Sequence, residues 1–389
     1  MMRIKEAVPP DRRGATGGTK PTLDPPSPGA PLRNVLWWSL RFLVALFLFV
    51  GALQVMKTGA QSLDVLNEGG WLVRNGGSTL GLGWFGALIV LSGSPVAASA
   101  LALVNAGSIS APEGFTMVTG SRIGAAFVVL LVAVLYALRS GSGERLKPVS
   151  TAVMALSTTA VIYVPGAVIG WFLLQIGGFG SLELNLGAGF GDLIDVIYGG
   201  LIERIASWPG ALLFAGGLGL LLLAFKLIDS VVPEMDDEKI EHSRLSWLRS
   251  KWPMFALGCL VALVAMSVSV ALTVLVPLVT KGYVKREDIL PYIMGANITT
   301  LGDTLFAAFL LDSSGRTAGV PPTVPIVLAG IIGTTIVSIV LLGFFYPQLK
   351  SGIWRFQRQM TKSKTRLAVF TAALFAVPVA IITLSGFAG

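Results

Sequence analysis

The chain has 389 residues, of which 53% are hydrophobic and only 13% are charged. A soluble domain carries about 25% charged residues, so this composition excludes an ordinary soluble protein and indicates a helical membrane protein with several spans. The net charge of +8 does not indicate nucleic-acid binding, because the basic residues concentrate in loops between apolar runs, as the positive-inside rule expects.

The first half of the chain contains a segment that we expect to enter the membrane without crossing it. Residues 1–33, rich in Pro and Gly, predict a disordered cytoplasmic tail. Val35–Met56 is then expected to cross outward, and Ala125–Leu138 to return to a basic, cytoplasmic loop. Gly81–Asn105, between them, can therefore make no net crossing. Its two apolar halves flank a break at Ser92–Pro95, and each would be about 15 Å long as a helix, half the depth of a bilayer. This pattern predicts a re-entrant hairpin.

The second half predicts the same arrangement entered from the opposite side. Residues 177–208 contain an amphipathic stretch that we expect to lie in the membrane interface. Phe255–Thr280 is expected to enter, turn at Met266–Val270 and return on the same side. The remaining predicted crossings are, in chain order, Val153–Ile176, Ala211–Ile228, Ile298–Leu311, Val324–Tyr346 and Leu367–Phe387.

An internal alignment without gaps connects the two halves. At an offset of 175 residues Ser92 falls on Ser267 and Ser94 on Ser269, and Gly120 falls on Gly295. We therefore predict an all-α polytopic membrane protein with two inverted-topology repeats, each with a re-entrant helical hairpin and a broken transmembrane helix. The predicted division is a tail (1–33), repeat 1 (34–138, tip 91–95), a linker with one transmembrane and one interfacial helix (139–208), repeat 2 (209–313, tip 266–270) and two C-terminal transmembrane helices (314–389).

The predicted hairpin tips have the chemistry of an ion site. The helix that begins at Val96 points its amino end at the tip, where free N–H groups and the helix dipole favour an anion. Ser94 and Ser269 can add hydroxyl donors, and the carbonyl ends of the preceding half-helices suit a small cation such as Na⁺. The alternative is that these Ser and Gly residues only allow close helix packing.

Two polar turns follow the hairpins, GSRIG from Gly120 and GANITT from Gly295. Arg122, which aligns with Asn297, is a functional candidate because arginine is costly inside a membrane, unless it snorkels to the interface. Asp303 is either a cation or proton ligand or the ion-pair partner of Arg122. The candidate ligands of an oxyanion are Ser92, Ser94, Arg122, Ser267, Ser269, Asn297, Thr299 and Thr300, and those of Na⁺ are Asn297, Thr300 and Asp303.

These motifs resemble the type II sodium–phosphate cotransporter family, over roughly residues 40 to 313. That family has two inverted repeats, each with a Gln-Ser-Ser-Ser tip followed by a Gly-Ala/Ser-Asn-Ile-Gly-Thr-Thr turn. MSVSVALT at 266–273 looks like the second tip, and Gly295–Thr300 is close to the turn. The chain departs from the family where Leu91 and Met266 replace the glutamines, Gly93 and Val268 replace the middle serines, and Arg122 replaces the first asparagine.

The resemblance implies a secondary transporter that takes up inorganic phosphate with Na⁺, with no other cofactor. We expect it in the lipid bilayer of the cytoplasmic membrane, multi-pass, with a cytoplasmic N-terminus. The departures leave open a carrier of another oxyanion, a proton-coupled carrier, or a transport-inactive regulator or scaffold on the same fold. An enzyme is not indicated, since the sequence contains no nucleophile–base pair or metal cluster. The sequence leaves open whether two chains form a homodimer.

Overall fold

The fold is known from a computed structural model, which describes residues 32–63, 72–139, 146–177, 179, 188–231, 250–265, 271–272, 279, 286–315 and 319–387. The predicted tail, apart from its last two residues, and the second predicted tip at 266–270 lie outside the described residues. The described elements are all helical. They are α1 (Leu32–Gln61), α2 (Gly76–Val90), α3 (Gly93–Asn105), α4 (Ala111–Ala125), α5 (Phe127–Arg139), α6 (Leu146–Gln175), α7 (Ala188–Ile205), α8 (Gly210–Val231), α9 (Lys251–Ala265), a 3₁₀ turn (Arg286–Asp288), α10 (Ile289–Thr299), α11 (Gly302–Ser313), α12 (Val324–Gly343), α13 (Tyr346–Thr361) and α14 (Lys364–Phe387).

Seven segments of the described chain are long and apolar enough to cross a membrane. Helices α1, α6, α8, α12 and α14 each supply one, and the consecutive pairs α4–α5 and α10–α11 supply one each. The protein is therefore an all-helical, multi-pass membrane protein. Helices α2, α3 and α9 are also apolar but have only 13 to 15 residues, too few to cross a hydrocarbon core of about 30 Å.

Two of these segments begin earlier than the sequence predicted, at Ala111 rather than Ala125 and at Ile289 rather than Ile298. Hydropathy undervalued the first turns because they contain polar residues. Those side chains find partners inside the protein: Thr116 and Thr119, for example, bond to backbone carbonyl groups of their own helix.

Helices α2 and α3 are separated by a sharp break, one residue before the predicted position. Leu91 has φ 56° and ψ 26°, in the left-handed region, and Ser92 is extended. A left-handed residue ends a helix by turning the chain, and it is uncommon for residues other than glycine. Helix α3 packs against α1, α2, α4 and α11, and all of its residues are buried.

The helix order repeats along the chain at an offset of 175 residues. Helix α9 lies at this offset from α2, the 3₁₀ turn with α10 corresponds to α4, and α11 corresponds to α5. Helices α8 and α12 fall within the shifted bounds of α1 and α6, so the correspondence extends beyond the predicted boundary at residue 138. The long helices pair with their counterparts, α1 with α8 and α6 with α12.

The close contacts between helices repeat at the same offset. A Cβ atom added to Gly83 would lie 2.0 Å from the carbonyl oxygen of Met117, and one added to Gly258 would lie 2.0 Å from that of Tyr292. In the same way, Gly120 approaches the carbonyl of Leu80, and Gly295, at its equivalent position, approaches that of Phe255. The α2–α4 and α9–α10 pairs are thus held by equivalent backbone contacts.

Helix α13 was not predicted, because its sequence was interpreted as part of a basic loop at Lys350–Arg366. Leu349 and Ile353 are spaced one turn apart and are buried, whereas the basic residues lie on the other side of the helix. The high density of charge concealed this apolar stripe.

Candidate functional site

The centre of the candidate site is a buried ion pair between the two halves of the chain. Arg122, in the last turn of α4, is 1% exposed, and Asp303, at the start of α11, is 3% exposed. The Arg122 Nη2 atom lies 3.1 Å from Asp303 Oδ1. Among the described residues these are the only charged side chains in the buried class. The structure therefore excludes a snorkelling Arg122 and selects, of the two predicted roles for Asp303, that of ion-pair partner in this conformation.

Thr304 and Ser94 complete the surroundings of the guanidinium. The Thr304 hydroxyl accepts a hydrogen bond from Arg122 Nη2 and donates one to Asp303 Oδ1 at 2.9 Å. Arg122 Nη1 donates to the Ser94 hydroxyl at a longer distance of 3.4 Å. Ser94 is in the first turn of α3, just after the break that follows α2. The arginine is thus held beside the amino end of a short helix.

That amino end is fixed against α4 by a residue without a side chain. A Cβ atom on Gly93 would lie 2.7 Å from the carbonyl oxygen of Ser121 and 2.9 Å from Cβ of Ala125. A larger residue would push the start of α3 away from Arg122. The amino end of a helix carries unpaired N–H groups and a partial positive charge, so it reinforces the positive potential of Arg122.

Asn297 and Thr300 lie in a second buried group. The Asn297 side-chain amide donates to the Thr159 hydroxyl at 3.0 Å. The Asn297 backbone carbonyl accepts from Tyr163 at 2.6 Å and from Thr300 at 3.1 Å. The three predicted Na⁺ ligands therefore do not share hydrogen-bond partners: Asp303 contacts Arg122 and Thr304, whereas Asn297 and Thr300 contact this second group.

The other candidates are placed less centrally or lie outside the described residues. Thr299 donates to the backbone carbonyls of Cys259 and Gly295, so its hydroxyl serves the packing of α10 on α9. Ser92 precedes α3 without a side-chain capping bond and is partly exposed. Ser267 and Ser269 lie outside the described residues.

A small cavity connects the two groups. Its volume is about 10 Å³, room for a single water molecule, and its wall includes Arg122, Tyr163 and Thr334. Thr334 lies 175 residues after Thr159. Thr159 thus contacts Asn297, and its counterpart Thr334 shares a cavity with Arg122, the residue that aligns with Asn297.

The sequence analysis missed Thr159, Tyr163 and Thr304. The signal was present, because polar side chains inside apolar segments usually face other helices rather than lipid. The cluster of hydroxyl residues in Ser157–Tyr163 could have been identified on that basis.

Three polar atoms in these groups are buried without a hydrogen-bond partner in the described structure: Arg122 Nε, Asp303 Oδ2 and Asn297 Oδ1. A buried polar atom without a partner costs about 1–3 kcal/mol, so such atoms indicate where a ligand could be accommodated. The donor is suited to an oxyanion, and the two oxygens are suited to a hard cation. The described residues contain no group of three or more His, Cys, Asp or Glu that could hold a metal ion.

No family model, curated protein or solved structure matches this chain. The fold and the site by themselves define a broad class, a helical multi-pass membrane protein with a buried ion pair next to a broken helix.

Proposed function

We propose that the protein is a secondary active transporter for an oxyanion, with inorganic phosphate as the substrate and Na⁺ as the coupling ion. The observation that carries this proposal is the Arg122–Asp303 pair, which lies in the protein interior beside the first turn of α3. A buried arginine inside a membrane segment is costly, and its planar donors match the geometry of a tetrahedral oxyanion.

The break between α2 and α3 supports a re-entrant hairpin in the first repeat. Two apolar helices too short to cross the bilayer meet at Leu91–Ser92, and irregular backbone at membrane depth is tolerated only inside the protein or along a cavity. We infer that α2 and α3 enter and leave on one side, so that the amino end of α3 lies near the midplane.

The 175-residue correspondence supports an internal duplication. Equivalent helices and equivalent glycine contacts recur in the two halves. We infer that the halves have inverted topology, because the basic loops at 139–147 and 239–251 would both be cytoplasmic under the positive-inside rule. Inverted repeats with broken helices are the usual architecture of midplane substrate sites in secondary transporters.

Sodium coupling is the least supported part of the proposal. Its basis is that Asn297 and Asp303 each retain one buried oxygen without a hydrogen-bond partner in the described structure. Oxygen atoms of this kind are the ligands of small hard cations.

The test is uptake of radiolabelled phosphate by the purified protein in liposomes, with an inward Na⁺ gradient or with K⁺ in its place. We expect Na⁺-dependent uptake that Arg122→Gln abolishes. Arg41→Gln is the matched control, because Arg41 lies in α1 over the ring of Trp37 and far in sequence from the site. Uptake that is indifferent to Na⁺ would remove the coupling claim, and no uptake of phosphate or sulfate would remove the carrier proposal.

A second candidate function is a transport-inactive regulator or scaffold. It is favoured by the ion pair itself, because Asp303 already neutralises the charge that a substrate would need. Binding of an oxyanion that depends on Arg122 would exclude this candidate, since a purely structural pair would have no affinity for free anions.

A further inference from the structure

We propose that Asp303 is an internal competitor for the anion position at Arg122, and that this competition selects divalent oxyanions over monovalent carboxylates. The inference rests on the proposed function and specifies the substrate class of the same site. Asp303 is thereby a specificity-determining residue rather than only a structural partner.

The incomplete pairing of the two side chains is the first argument. Stable pairs of arginine with carboxylate are frequently bidentate, with two parallel hydrogen bonds. Here one carboxylate oxygen accepts from Arg122, while Arg122 Nε and Asp303 Oδ2 are buried without a hydrogen-bond partner in the described structure. A pair that served only to hold the helices together would be expected to satisfy these atoms.

The unused donors around Arg122 are the second argument. Ser94 lies 3.4 Å from Nη1, beyond the usual length of a charge-assisted hydrogen bond, and the amino end of α3 adds its own positive potential. The single carboxylate oxygen of Asp303 that contacts the guanidinium leaves these donors unused. A tetrahedral anion with four oxygens could bind to the guanidinium and to these donors together.

The space around Asp303 is the third argument. Asp303 also lines an apolar cavity of about 340 Å³, which is lined as well by Phe42, Leu46, Phe49, Phe225, Ile228 and Phe306. The side chain therefore has room to turn away from Arg122. Turning a carboxylate toward apolar walls is costly, so only an anion that binds Arg122 more strongly can displace it.

These arguments define a filter. A monovalent carboxylate offers Arg122 the same group that Asp303 offers, but Asp303 is tethered at a high effective concentration. A divalent oxyanion brings twice the charge and more acceptor oxygens, and so it gains from the exchange. The apparent dissociation constant equals the intrinsic one divided by the fraction of protein in which the site is free.

The experiment measures binding of sulfate and acetate to the purified full-length protein by isothermal titration. Sulfate is the divalent probe and acetate the monovalent one. We expect the wild type to bind sulfate and not acetate. Asp303→Asn should bind sulfate at least about 10-fold more tightly and should gain acetate binding, and Arg122→Gln should bind neither.

Thr304→Val is the second variant, because Asp303→Asn leaves a buried arginine unpaired and could reduce the yield of folded protein. The Thr304 hydroxyl donates to Asp303 at 2.9 Å, so its removal loosens the competitor without removing a charge. We expect sulfate to bind several-fold more tightly. Thr335→Val is the matched control, because the Thr335 hydroxyl bonds only to a carbonyl of its own helix, and it should bind sulfate like the wild type.

The outcomes separate the two proposals. If sulfate binds to the wild type and Asp303→Asn or Thr304→Val leaves its affinity unchanged or weaker, the internal competitor is wrong and the anion carrier stands. If neither the wild type nor these variants binds sulfate or phosphate, both proposals are wrong.

Discussion

The Arg122–Asp303 pair makes a strong prediction about stability. Both side chains are almost completely buried, with exposures of 0% and 1%, and they lie 3.1 Å apart. Removing one partner leaves an uncompensated charge in the interior, which costs about 3–5 kcal/mol. We therefore expect Arg122→Met and Asp303→Asn each to lower the free energy of unfolding by this amount.

The double variant Arg122→Met/Asp303→Asn should behave differently. Replacing both members of a buried pair by neutral residues is often neutral or stabilising, and the two unpaired atoms of the native pair already reduce its net value. We expect the double variant to lie within about 1 kcal/mol of the wild type, so that the coupling energy is at least about 3 kcal/mol.

The assay is unfolding in mixed detergent micelles at increasing SDS, followed by tryptophan fluorescence in the absence of sulfate and phosphate. Ser94→Ala is the control, because the 3.4 Å contact with Arg122 should contribute less than about 1 kcal/mol. Additive losses in the double variant would refute the reasoning, since they would mean that the two charges do not compensate each other.

Three further predictions concern backbone contacts and the second buried group. Gly120→Ala and Gly295→Ala should each lower the free energy of unfolding by about 1–3 kcal/mol or more, because the added Cβ would lie 2.0 and 2.1 Å from a backbone oxygen, whereas Gly199→Ala, with nothing within 4 Å, should be neutral or stabilising by up to about 1 kcal/mol; equal effects in SDS unfolding would contradict this. Leu91→Gly should leave stability unchanged or raise it by up to about 1 kcal/mol, and Leu91→Val should lower it, because position 91 has φ 56° and a left-handed residue without glycine is strained by about 1–2 kcal/mol; the reverse order in the same assay would show that the turn is not strained. Tyr163→Phe should cost about 1 kcal/mol by removing the hydroxyl that donates at 2.6 Å, and a stability equal to that of the wild type would mean that this bond contributes nothing.

The sequence predicted the helical membrane class and the first break because these depend on local composition. Apolar runs report the length of a crossing, and the Ser92–Pro95 cluster interrupts a run that would otherwise continue. The position of the break differs by one residue, because Leu91 adopts the left-handed conformation that sequence rules reserve for glycine or asparagine.

The partners of the buried polar residues could not be predicted from local composition. Arg122 and Asp303 are 181 residues apart in sequence, and only the packing of α4 against the other half of the chain brings them together. The sequence analysis left both roles of Asp303 open for this reason. The site at the second predicted tip remains a prediction, because 266–270 lie outside the described residues.

The glycine contacts restrict how such a molecule could change shape. Between α2 and α4 the touching surfaces are main-chain atoms at Gly83 and Gly120, and no side chain stands between them to change rotamer. Sliding one helix along the other would drive carbonyl oxygens into Cα atoms, so the two helices can only travel together. A functional movement would therefore take place at the seams around these pairs, where longer side chains can repack, and would carry Arg122 along with its helix as part of one rigid block.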